Sequence, residues 1–261
     1  MTTAPVTSAF TTPLALAPVK TLQVEIWSDV ACPWCYIGKR RFEAALAAFP
    51  HRDHVEVAWR SYQLSPQTPK GAGRPEAQAL AEMKGISLAQ VQQMFAQVTQ
   101  VAAGVGLAYD FDRTLTFNTF DAHRLLHLAA RLGGAVLVER TTEALFSAHF
   151  EHGADLGLTA ALVDLAHTVG FGELGWDDDQ VLAFLSGDDE ADAVRADIAE
   201  ARSIGVTGVP FFVVDRRVAV SGAQPAEVFT QLLETSWREA NPLVTLGSPD
   251  AQACVDDSCA I

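Results

Sequence analysis

The stretch from Val24 to Arg40 constrains this chain more than any other. Val24, Ile26 and Val30 are β-prone and apolar, so the segment begins as a strand and then turns. Pro33 suits the first position of a helix, where its missing N–H would have no partner in any case. Cys32 therefore stands at a helix N-terminus, where unpaired N–H groups and the helix dipole favour a thiolate over a thiol. Cys35 follows one turn later on the same side. At this spacing a mixed disulfide formed on Cys32 can be resolved from within by Cys35, which is dithiol–disulfide exchange.

A Cys-x-x-Cys pair can also be half of a zinc site or two buried apolar thiols. Zinc asks for a second pair of thiols or histidines that folds onto the first, and thiols at a strand-to-helix turn are seldom inert. Redox chemistry is the reading that the position of Cys32 and Cys35 favours.

The segment Trp27-Ser28-Asp29, continuing through Cys32-Pro33-Trp34-Cys35-Tyr36 to Gly38-Lys39, resembles the active-site opening of the DsbA family, most closely its FrnE-like branch. Two later stretches share the resemblance: Gly205 to Val213 with its Val209-Pro210 step, and Ser221-Gly222-Ala223-Gln224-Pro225. The likeness covers roughly residues 21 to 240. It implies an α/β thioredoxin fold carrying a large all-helical insertion, with Pro210 in cis facing the cysteines. In that geometry the Val209 backbone offers itself to an extended substrate segment as an added strand. Pro33, Trp34, Val209, Pro210 and Asn118 are then the expected substrate contacts.

The 261 residues, 49% of them hydrophobic, suffice for a sizeable core. A net charge of -14 argues against nucleic acid or an anionic membrane as the main partner, since both call for clustered Lys and Arg. The first twenty residues lack the basic start and long apolar core of a secretory signal, so they read as a disordered arm on a cytoplasmic protein. In a reducing compartment, four cysteines in two close pairs suggest transient rather than structural disulfides.

Helical spacing of Ile37, Phe42, Leu46 and Phe49 ends at Pro50, and residues 54 to 60 alternate as a second strand. The glycine- and proline-rich loop after Ser61 leads out of the sheet near residue 70. Residues 71 to 205 then read as helices throughout, near 75–84, 87–103, 118–132, 135–151, 159–169, 177–185 and 188–203. Thioredoxin-like parts are expected at 21–70 and 206–240, closed by a hairpin around Arg216-Arg217 and a last helix opened by Pro225. Asn118 is read equally as a cleft residue and as a helix cap. His123 and His127, on one helix face, read as packing rather than a metal pair, as do His149 and His152.

Residues 241 to 261 are expected to be a mobile tail with a second pair, Cys254 and Cys259. That pair reads as an accessory redox pair, a passive terminal disulfide or a metal site. No organic cofactor or metal is required. The expected partners are protein thiols and disulfides, with glutathione or a thioredoxin-type reductant resetting the pair. Three alternatives stand beside this reading. A glutathione-dependent isomerase or kappa-type glutathione transferase would use a single nucleophile, usually Ser, where this chain has two cysteines. The third is a peptide-binding, chaperone-like module.

Overall fold

The computed structural model describes residues 18–243, so Cys254 and Cys259 and most of the N-terminal arm lie outside the described residues. Four strands form one mixed sheet in the order β2-β1-β3-β4. Strand β1 (Leu22–Ser28) pairs parallel with β2 (Val55–Ser61) and antiparallel with β3 (Phe211–Val214), which pairs antiparallel with β4 (Val218–Ser221). Asp215 and Arg216 both take positive φ, the backbone that a tight hairpin turn between β3 and β4 demands.

The two-residue period of β1 sorts its side chains between two layers. Leu22, Val24 and Ile26 point into a core shared with α1 (Pro33–Ala48) and α8 (Ala226–Ala240), where Phe42, Phe49, Phe212, Phe229 and Leu233 interdigitate. On the other face Trp27 packs with Ala201 and Val206, and its Nε1 donates to the Asp197 carbonyl at 3.1 Å. Glu25 shares that face and is held by Arg60, at 2.7 Å, and Arg216.

All the named elements between β2 and β3 are helical: α2 (Glu76–Lys84), α3 (Leu88–Ala103), α4 (Phe120–Phe150), α5 (Thr159–Thr168), α6 (Asp178–Ser186) and α7 (Ala191–Ser203). Capping boxes start α3 at Ser87 with Gln90 and α6 at Asp177 with Gln180. Helix α4 breaks at Gly134, whose φ of 59° and ψ of -153° suit glycine alone, so the two helices expected there run end to end through a kink. Its apolar face, with Leu125, Leu128, Leu137 and Leu145, forms a second core with α5 and α6. Arg124 is buried there and spends its guanidinium on the carbonyls of Phe184, Leu185 and Asp189. At the chain's other end, Lys20 is already tied to Asn241, whose Oδ1 accepts from the Lys20 N–H at 2.8 Å.

Candidate active site

The sheet delivers its first strand to a turn at Asp29 to Ala31, and the Cys32 N–H closes it on the Asp29 carbonyl at 3.0 Å. Helix α1 begins at once, with Pro33 in its first turn and Cys32 as its cap residue. Cys32 keeps 4% of its surface exposed, whereas Cys35 is fully buried. The Cys32 thiol donates to the Val209 carbonyl at 3.6 Å, and the Val209–Pro210 peptide bond is cis. Pro210 is fixed in turn by the Gly222 N–H, which donates to its carbonyl at 2.8 Å.

Gly38 lets these two segments meet. A Cβ at this position would lie 2.8 Å from Pro210 Cγ, inside van der Waals contact, so only glycine allows α1 to approach so closely. Trp34, by contrast, is 40% exposed and presents an apolar surface beside Cys32.

The helical segment covers the rest of the pair. Phe95, Tyr109, Phe111, Phe146 and Phe150 pack around Cys32, Cys35, Tyr36 and Ile37, and the Tyr109 hydroxyl donates to the Pro33 carbonyl at 2.7 Å. Burial, together with the neighbouring Cys32, pushes the Cys35 thiol well above its usual range, opposed by the Ser28 hydroxyl and the Asp29 N–H. The Tyr109 and Tyr36 hydroxyls are likewise pushed up by burial.

Further along α1, Lys39 and Arg40 clasp α4. Lys39 pairs with Glu43, Glu139 and Glu143, and Arg40 with Glu43 and Glu143. Burial works against the Lys39 ammonium, yet the hydrogen bonds it donates to Glu139 and Glu43 raise it above the ordinary lysine range. Tyr36 joins them, donating to Glu143 at 2.6 Å.

The expected site residues do not all converge. Cys32, Cys35, Pro33, Trp34, Val209 and Pro210 do. Asn118 is occupied by its own chain: its Oδ1 accepts from the Phe120 N–H at 3.0 Å and from Gln63 at 3.2 Å, and its amide donates to the Thr68 carbonyl at 2.6 Å. That is a helix-start and loop-pinning role. His123 and His127 part company. His123 meets Asp29, three residues before Cys32, with Nε2 3.3 Å from Oδ1; His127 meets Asp197 at 3.0 Å. No group of three or more His, Cys, Asp or Glu side chains that could hold a metal occurs among the described residues.

Fold and site together define a thioredoxin-fold protein with a dithiol at the start of its first helix. The model of the DSBA-like thioredoxin domain matches residues 23–234, and the chain belongs to that family of thiol–disulfide oxidoreductases. A probable DsbA oxidoreductase from Streptomyces coelicolor is 45% identical, with 92% of this chain and 99% of that one covered at a TM-score of 0.77. The cytosolic disulfide reductase DsbM of Pseudomonas aeruginosa, solved with glutathione, is 19% identical over 83% of this chain and 99% of its own, at a TM-score of 0.54. A 2-hydroxychromene-2-carboxylate isomerase is 15% identical over 83% and 97%, at 0.58. These last two share the fold. Among curated proteins, the uncharacterised YwbO of Bacillus subtilis is 37% identical over 46 residues, so the chain spans only 21% of that protein's length. Among the described residues no helix is long and apolar enough to cross a membrane.

Proposed function

We propose that this chain exchanges disulfides with protein thiols, Cys32 attacking and Cys35 resolving. The observation that carries the reading is the division between them: Cys32, next to the exposed Trp34 and against the Val209 carbonyl, keeps a small exposed edge, while Cys35 has none. In the reductive direction the Cys32 thiolate attacks a substrate disulfide and expels one substrate thiolate. Cys35, deprotonated, then attacks Cys32 Sγ, the mixed disulfide breaks, the second substrate thiolate leaves, and two electrons have passed from the Cys32–Cys35 dithiol to the substrate. Oxidation runs the same steps backward, and isomerisation returns the electrons to the same chain.

Trp34 and the Val209 backbone hold the substrate segment, with Pro33 and Pro210 shaping the groove. Glutathione or a thioredoxin-type reductant resets the pair in the cytoplasm, and no organic cofactor or metal takes part. Residues 71–205 act as one helical unit over the cysteines. The tail pair, Cys254 and Cys259, exchanges with Cys32 as an accessory relay.

A glutathione redox titration with mass-spectrometric mapping of all four cysteines tests this reading. Conversion of Cys32 and Cys35 together, as an internal disulfide with one midpoint, is expected. A stable glutathione adduct on Cys32 with Cys35 left free would overturn it in favour of a glutathione-dependent isomerase or transferase.

A further inference from the structure

The resolving step has a difficulty that the two cysteines alone do not solve. Cys35 is buried and its thiol is pushed up, so at neutral pH it holds its proton until the moment of attack. A proton released in a sealed apolar shell needs an acceptor close by, because an unpaired charge there is costly.

Between the ends of β1 and β2 and helix α4 the structure has a small cavity of about 10 Å³, room for about one water. Ser28, Ser61, His123 and Thr142 are among its lining residues, and the Ser28 hydroxyl also acts on the Cys35 sulfur. His123 is 2% exposed, and its Nδ1 has no partner among the described residues; the Thr142 hydroxyl is likewise buried and unpartnered. The other ring nitrogen is accounted for. Nε2 of His123 faces Asp29 Oδ1 at 3.3 Å, while Asp29 Oδ2 accepts from the Leu64 N–H at 2.7 Å, which fixes the carboxylate. A hydrogen bond from Nε2–H to Asp29 places the imidazole lone pair on Nδ1.

We infer that Asp29 and His123 form a buried proton acceptor for Cys35, reached through the Ser28 hydroxyl and one water in the cavity. This rests on the two-cysteine reading above. As Cys35 attacks Cys32 Sγ, its S–H bond breaks, Ser28 takes that proton while passing its own to the water, and the water protonates Nδ1. The new S–S bond forms as the substrate thiolate leaves, and the resulting imidazolium is paired with the Asp29 carboxylate. When a reductant reopens the disulfide, the proton returns to Cys35 by the same route, so none has to cross the apolar shell. His123 comes from α4, so the helical segment would supply chemistry as well as cover.

Single-turnover kinetics with a symmetrical nitrothiobenzoate disulfide separate the steps, using the full chain with Cys254→Ser and Cys259→Ser so that only Cys32 and Cys35 react. The Cys32 attack releases a first coloured thiolate, and the Cys35 attack releases the second. His123→Gln keeps an amide for Asp29 but cannot take the proton; it is expected to slow the second release by about tenfold or more and leave the first unchanged. Ser28→Ala, which leaves the Asp29–His123 pair in place, is expected to do the same, and the double variant no worse than the slower single one. An unchanged second release in either variant, or equal slowing of both releases, overturns the inference. If the parent protein releases only one thiolate, the two-cysteine reading itself fails, whatever the variants do.

Discussion

Two polar patches join the cysteine-bearing turn and helix to α4, and they are built differently. Along α1, Lys39 and Arg40 meet Glu43, Glu139 and Glu143, and both cations are paired more than once. At the start of α1, Asp29 meets His123, and beside them Nδ1 of His123 and the Thr142 hydroxyl are left without a partner among the described residues. A buried polar network that is fully satisfied rigidifies, whereas unsatisfied groups cost free energy and call for another explanation. The difference separates a patch that holds the two segments together from one whose open positions face a reacting thiol.

The comparison breaks most sharply at Lys39. Its side chain is 2% exposed and neutralises carboxylates that are themselves partly solvated. Lys39→Met takes the cation from Glu139 and leaves Glu43 and Glu143 to Arg40 alone, and a loss of about 3 kcal/mol in urea unfolding is expected, the low end for breaking a buried pair because the carboxylates keep some solvent. A loss below about 1 kcal/mol would mean that the clasp is no tighter than a surface ion pair.

Glu76 and His149 extend the unpaired kind deeper into the helical segment. Their nearest atoms are 3.6 Å apart, too far for a hydrogen bond. Burial pushes the Glu76 carboxyl up to about 7 and the His149 imidazole down to about 4, so both are neutral between those values. A carboxyl raised in the fold binds protons more tightly there than in the unfolded chain, so the contribution of Glu76 to stability falls as pH rises from 4.5 through about 7, while that of His149, lowered in the fold, runs the other way. Glu76→Gln has no such loss. Relative to wild type it is expected to change little at pH 4.5 and to gain about 2 kcal/mol by pH 8, read from unfolding midpoints across that range. A gain independent of pH would exclude titration of Glu76 as its cause.

Much of this was legible beforehand, and the reasons for the rest are physical. The cysteine turn, the strands and nearly every helix follow from local patterns: apolar periodicity, Pro33 at a helix start, Ser87 and Asp177 as caps, glycines at the break in α4. The polar partners did not follow, because no local pattern specifies them. Asp29 and His123 are 94 residues apart in sequence, as Lys39 and Glu143 are 104 apart, and only the folded chain brings them together. For the same reason the sequence around His123 is that of a packing residue, and the role of Asn118 is set by its hydrogen bonds to Phe120 and Thr68 rather than by any local pattern.

Gly38 sharpens the comparison, since it lies on α1 but belongs to neither patch. Gly38→Ala places a methyl group against the ring of Pro210, whose carbonyl is held by the Gly222 N–H. Overpacking here is expected to cost about 1 kcal/mol and to slow attack by Cys32, because the Val209 carbonyl moves with the proline. Slower first release with an unaltered second release in the single-turnover assay is the signature. Equal slowing of both would place the strain in α1 itself rather than in the Pro210 loop.

The smallest effect is expected at Thr142, and it tests the contrast from the other side. Its hydroxyl has no partner among the described residues, so Thr142→Val orphans none of them, unlike Lys39→Met. The hydroxyl's own desolvation penalty disappears and a methyl group of similar size takes its place, so a change of less than about 1 kcal/mol in either direction is expected from urea unfolding. A loss comparable to that of Lys39→Met would show that the cavity is bonded as tightly as the clasp, and the two patches would then differ in position rather than in kind. A small change would leave the Asp29–His123 side as the one place on this interface where polarity is kept without serving stability. Groups kept on those terms beside a buried thiol are better accounted for by the proton they can accept than by the structure they hold.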